Sequence, residues 1–241
     1  MYERADTSAR NYAKAAEIFG LIAKSVSSET VPEETLPIWV DLMVAIRQAD
    51  DLIDATLDPI ERRVLKERAV SFLSDDTTDC DDTNNFDFLR PIKNYLNKLS
   101  DGKRKSFLIA LKSVLIVTEE IRNIREAKML AKLSKLEGQL TCRLLLSFLP
   151  DTYGLDQKAV IALTRISRVG NAYDTFIDLP NDYKNGEKQI SPNLLNRMTV
   201  LFSTFNEVYK IFSTFGLPTE VVARLVEGVG MTTAGRKRKT N

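Results

Sequence analysis

Apolar residues recur at i, i+3, i+4 and i+7 through most of this chain, the pattern of a helix that buries one face. Alternating β-branched runs, the mark of strands, are rare. Glycine and proline number only 10 and 8 in 241 residues and fall mostly at plausible element ends. The chain is therefore expected to be all-α, one domain over residues 1–241, folded as a bundle of about eight or more helices. Helices are expected over 7–26, from Pro32 or Pro37 to about 55, and over 59–73, 86–99, 103–124, 126–148, 156–179 and 194–214. A last one starts at Pro218 and fades near 228–230. Asp58-Pro59 suits an N-cap followed by a first helical residue. Ser74–Asn85 (SDDTTDCDDTNN) is acidic and lacks a core face, so it reads as a solvated loop. The basic stretch 235–241 reads as a frayed, flexible tail, or as a flap whose cations close over an anionic substrate.

Composition excludes several chemistries. The chain has no histidine. A Ser-His-Asp triad, a His-ligated zinc and a histidine base are therefore impossible. The net charge of +1 lacks the basic excess of a nucleic-acid binder, so no nucleic acid is expected as a partner. The two cysteines, Cys80 and Cys142, form no CxxC pair and suit a reducing compartment. No signal-peptide core and no 18-residue apolar run are present, and the expected setting is cytoplasmic.

The remaining chemistry concentrates in two acidic segments. In RQADDLIDATLD, Asp50 and Asp54 lie four apart on one helix face, with Asp51 beside them and Asp58 continuing the row. Like charges at this spacing repel, and a cation between them relieves the repulsion. Asp174, Asp178 and Asp182 repeat the spacing among Ala172, Tyr173, Phe176, Ile177 and Leu179. Acids embedded in an apolar stretch make a poor solvent face. Pro180 is expected to kink this helix and to displace Asp182 from the stack above Asp178. Oxygen ligands without His or Cys favour a hard cation, Mg²⁺ or Mn²⁺. Two such helices facing each other in a bundle make a clamp for metal ions and a diphosphate.

At these residues the chain resembles the class I isoprenoid synthase superfamily. Asp50-Asp51-Leu52-Ile53-Asp54 matches its first aspartate-rich motif, DDxxD, and Gly170–Asp178 resembles the second. Asp178, Asp182, Gly186 and Pro192 follow an order similar to squalene and phytoene synthases. Lys135-Leu136-Glu137-Gly138, about 40 residues before Asp178, resembles the Lys-Thr-Gly region of trans-prenyl synthases, with Lys135 one position out of register. The family of the moenomycin-biosynthesis prenyltransferase is also similar, at Asp51–Asp54, Asp178-Leu179, Asn185-Gly186-Glu187 and Asn193-Leu194. The resemblance implies an isoprenoid-synthase-like bundle with a central apolar cavity, sometimes dimeric. It implies Mg²⁺ (or Mn²⁺) held by Asp50, Asp51, Asp54, Asp174, Asp178 and Asp182, with Asp50, Asp54 and Asp178 central to catalysis. The small-molecule partner would be an allylic isoprenoid diphosphate.

No Gly-Gly-Lys-Arg element precedes Asp50, which disfavours ordinary chain elongation. The implied activity is transfer of the prenyl group to an acceptor other than isopentenyl diphosphate, an acceptor the sequence does not identify. Cyclisation or elimination by a class I terpene synthase is the alternative, although Asn181 and Asp182 echo only half of the NDxxSxxxE signature. A third reading is a non-catalytic regulatory subunit of a prenyl synthase. Arg47, Lys135, Arg168, Lys184 and Lys188 are candidate diphosphate contacts, each with an ordinary salt bridge or solvated surface as the competing reading. Tyr173, Phe176 and Gln139 are candidates to line a prenyl pocket. Phe202 and Phe205 either join them or pack in the core.

Overall fold

The computed structural model describes residues 2–26, 30–56, 58–74, 83–150 and 153–216. The expected ninth helix at 218–230, the tail at 235–241 and most of the acidic loop lie outside them. Eight helices make the described residues 82% helical, and no strand occurs among them. They are α1 (Tyr2–Val26), α2 (Thr35–Asp54), α3 (Pro59–Ser74), α4 (Arg90–Leu96), α5 (Asp101–Asn123), α6 (Ala127–Leu146), α7 (Gln157–Lys184) and α8 (Leu194–Phe215). A 3-10 turn, Thr83–Leu89, leads into α4.

Local chemistry sets several boundaries. Asp58 accepts from the Ile60 N–H at 2.7 Å and starts α3, so it caps that helix and does not extend the acidic row of α2. Asp156 caps α7 through Lys158 N–H, and Asn193 caps α8 through Asn196 N–H. Gly216, at φ 55°, closes α8 in the left-handed conformation that glycine adopts without strain.

The helix α7 departs from the expected boundary. It passes through Pro180 and ends at Lys184, not at Leu179. Proline removes one backbone donor at position 180, yet the helix continues around it. Leu179 is fully buried just before the proline and anchors the segment.

α6 is the central helix, packed against α5, α7 and α8, while α1 bridges α2 and α7. Its buried Leu130, Leu133, Leu140, Leu144 and Leu145 meet Trp39, Phe107, Leu163 and Val200 in one core. The Trp39 indole N–H donates to the Leu145 carbonyl at 2.7 Å, tying α2 to the end of α6. At Gly138 a Cβ would lie 2.3 Å from the Ser167 carbonyl oxygen. Only glycine permits the close crossing of α6 and α7 there. Cys142, one turn further along α6, has no solvent exposure, and Thr164 of α7 directs its hydroxyl at the sulfur from 3.9 Å. Burial pushes this thiol up to about 11. Among the described residues no helix is long and apolar enough to cross a membrane.

Candidate functional site

Three helices end at one rim of the bundle. The last residue of α2, Asp54, pairs with Arg122 near the end of α5. Past the end of α7, Gly186 takes φ 76°, a reversal that suits glycine. The Asp182 carbonyl accepts from both Glu187 N–H and Lys188 N–H across this turn. The fold-back brings the Lys188 ammonium to the Asp182 carboxylate at 2.6 Å. Arg125, just after α5, reaches Gln189 at 3.0 Å and links the two loops.

Asp50 lies at the centre of this rim. Its side chain is 41% exposed, but the surrounding protein withholds bulk water from the carboxylate and pushes it above the ordinary value. Arg47 and Arg122 oppose that shift, Asp51 adds to it, and Lys188 again opposes it. Arg47 contacts Asp50 at 3.6 Å and Asp51 at 2.8 Å. Lys188 therefore acts on an acid of each motif, through direct contact with Asp182 and through its charge on Asp50.

Glu137, inside the Lys135–Gly138 motif, also belongs here, although the spacing of the acids does not mark it. Thr118 of α5 donates to it at 2.7 Å and Asn171 of α7 at 2.6 Å. Desolvation raises its carboxyl, these two bonds oppose the rise, and the Asp50 charge adds to it. Its neighbour Gly138 makes the arrangement possible, because the close crossing brings Asn171 within reach. Asn171 also donates to the Ser134 carbonyl, and Thr175 donates to Ser134 Oγ. A glutamate immediately before a helix-crossing glycine was the available sequence signal. Asn171, Asp174, Asp178 and Asp182 form one stripe of α7 at helical spacing, so the acidic row continues the seam that holds Glu137.

Other predicted residues lie elsewhere. Lys135 donates to Ser203 at 2.7 Å and stands 3.9 Å from Glu207 of α8, while Arg168 meets Glu207 at 2.9 Å. Gln139 is one turn after Lys135 on α6 and is half-buried. Burial lowers the Lys135 ammonium, and Glu207 opposes the shift. Phe176 stacks against Tyr173 with centroids 6.2 Å apart and carries the Arg197 guanidinium at 4.9 Å. Lys184 is exposed at the end of α7. Phe202 and Phe205 are 62% and 57% exposed, so neither packs in the core. They occupy the face of α8 opposite Glu207.

A cleft of about 1140 Å³ opens beside the rim, between α3, α5 and the start of α6. Val70, Leu115, Ile116, Ile124, Met129 and Leu133 line it together with charged residues, among them Arg63, Lys66, Glu67, Lys112 and Glu120. Glu119 on its wall is one turn before Arg122. Although burial raises the Glu119 carboxyl, Lys66 at 2.6 Å and Arg62 at 3.3 Å hold it below the usual value. Ile116 and Met129 remain 60% and 38% exposed, so the cleft is open along one side.

Among the described residues, no three His, Cys, Asp or Glu side chains gather closely enough to hold a metal by themselves. The donor chemistry nevertheless fits Mg²⁺, which binds through one or two carboxylates together with water and phosphate. Asp50 and Asp182 both interact with the one Lys188 ammonium. Comparison with family models, with curated protein sequences and with solved structures found no match.

Proposed function

We propose that this protein ionises an allylic isoprenoid diphosphate and transfers the prenyl group to an acceptor other than isopentenyl diphosphate. One observation supports the reading: a rim of carboxylates and cations adjoins an open cleft whose walls carry apolar side chains between charged ones. An amphiphile with an anionic head and a hydrocarbon tail matches both parts. α2, α5 and α7 direct their C-terminal ends, where backbone carbonyls concentrate negative potential, toward the same rim. Together with Asp50, Asp54 and Asp182, these ends favour cations, and a diphosphate needs cations in order to bind there.

Asp50 and Asp182 would hold Mg²⁺, with Asp178 on the same stripe of α7. When bound, the metal neutralises charge on the departing diphosphate. Arg47 and Lys188 sit where they can bind phosphate oxygens. Arg122 fixes Asp54 and orients the end of α2. Glu137, with its carboxyl raised, holds a proton more readily than an exposed glutamate and is the candidate acceptor for one released at the rim. The cleft takes the hydrocarbon chain. Its open side favours entry of an acceptor over cyclisation, which needs a cavity closed to water.

The test is diphosphate release from prenyl diphosphates of increasing chain length, with Mg²⁺ and with excess chelator. Metal-dependent release is expected, and chelation should abolish it. Hydrocarbon or alcohol products formed without an added acceptor would replace transfer with the terpene-synthase reading. No release at any chain length would leave the non-catalytic subunit.

A further inference from the structure

The backbone of Lys188 is fixed on both sides. Before it lies the turn at Gly186, where the Asp182 carbonyl accepts from Lys188 N–H at 3.2 Å. After it comes Ile190, buried in the core. The ammonium meets the Asp182 carboxylate at 2.6 Å, with only 13% and 17% of the two side chains exposed. Its charge also acts on Asp50 of α2 and on Glu137 of α6. One ammonium thus serves carboxylates from three helices. Little water screens such a pair, so it is stronger than a surface salt bridge.

We propose that Lys188 is an exchangeable counter-cation: it neutralises Asp182 until a divalent cation takes that carboxylate, and the released ammonium then turns to the diphosphate. The inference rests on the function proposed above and adds a coupling to it. An ammonium and a divalent cation compete for the same carboxylate oxygens. Lysine is suited to give way, because it is a point charge on a flexible four-carbon stem. Rotation about its own bonds moves the ammonium while the backbone between Gly186 and Ile190 stays in place.

The exchange makes the two ligands help each other. A divalent cation binding alone must break the Lys188–Asp182 pair and leaves the ammonium without its carboxylate. A cation that arrives with diphosphate gives the ammonium a new anion. Lys188 therefore opposes the metal alone and favours the metal with diphosphate, a coupling that is reciprocal between the two ligands.

Binding of Mn²⁺ to the full chain, followed by electron paramagnetic resonance, tests this without turnover. K188Q should bind Mn²⁺ alone about fivefold tighter than wild type, since apparent affinity scales with the fraction of molecules whose Asp182 is free. It should bind the Mn²⁺ complex of inorganic pyrophosphate more weakly. In a D182N background K188Q should leave Mn²⁺ affinity where D182N alone sets it. A second measurement needs no substitution. Acylation by an N-hydroxysuccinimide ester, read by peptide mass spectrometry against the other lysines, should speed up at Lys188 with Mn²⁺ and slow again with the pyrophosphate complex. Unchanged or weaker Mn²⁺ binding by K188Q overturns the proposal. So does a gain that persists in D182N, no Mn²⁺ binding to any form, or a Lys188 labelling rate indifferent to Mn²⁺. The two readings fail separately. Exchange at Lys188 with no release from any prenyl diphosphate removes prenyl transfer and keeps the exchange, whereas metal-dependent release with K188Q indifferent to Mn²⁺ does the reverse.

Discussion

Two glutamates on the two flanks of the α6–α7 pair are satisfied in opposite ways. Glu207 faces three cations: Arg168 at 2.9 Å, Lys210 at 3.7 Å and Lys135 at 3.9 Å. Glu137 faces neutral donors, Thr118 and Asn171, and its carboxyl is raised chiefly by burial. A carboxylate surrounded by opposite charge holds helices together. A carboxylate kept desolvated, with another acid acting on it, stores a perturbed proton affinity, and such groups concentrate at functional sites. On the proposed function, the contrast sets the α8 side apart as architecture and the α2 rim as the place for chemistry.

The largest effect that sharpens this contrast should come from Asp50→Asn. Metal-dependent diphosphate release should fall at least ~100-fold, as when one electrostatic contact is lost from a reacting centre. The thermal midpoint should stay level or rise, since the substitution removes a desolvated charge. Unchanged turnover would break the assignment of the α2 rim.

Next in size is Glu207→Gln. It leaves Lys135 and Arg168 without their carboxylate and should cost about 2 kcal/mol in urea unfolding. That figure is reduced because both cations retain some contact with water. Turnover at a temperature well below unfolding should persist. If turnover vanished while stability held, Lys135 and Arg168 would belong to the site and the contrast would collapse.

Glu137→Gln should act through pH. A carboxyl raised in the folded state contributes stability at acid pH that is lost as pH climbs past its ordinary value of 4.5 toward the folded one. E137Q removes that loss. Its stability relative to wild type should improve as pH rises from 4 to 7, by roughly 1.4 kcal/mol for every tenfold gain in proton affinity that folding gives the carboxyl. Chemical denaturation at both ends of that range gives the sign, and a flat difference would show an unperturbed Glu137. The smallest effect should be that of Ser203→Ala, which removes one hydrogen bond to Lys135 and should cost about 0.5–1 kcal/mol, with turnover unchanged.

Much of this architecture was legible in the sequence because helical periodicity repeats locally. The starts of α3, α7 and α8 follow capping residues beside them. The continuation of α7 was not legible, because burial of Leu179 and the turn at Gly186 carry the helix past Pro180. Asp50, Asp54 and Asp182 stood out as spaced acids, and the structure groups them at one rim. Glu137 did not stand out, since its partners come from α5 and α7, 19 and 34 residues away. Sequence points Lys135 and Arg168 toward phosphate because Glu207, on another helix, carries no motif. The polarity of α8 was misleading for a related reason: an apolar stripe signals burial without saying against what.

Cys142 offers something else, a clock. Its thiol has no solvent exposure and ionises only near pH 11, so reagents in neutral solution cannot alkylate it while α6 and α7 stay together. The rate of its modification therefore counts how often that pair parts. With Cys80 changed to serine, a single mass shift would time the opening of the helix pair that carries Glu137 and Asn171, without any substrate being known.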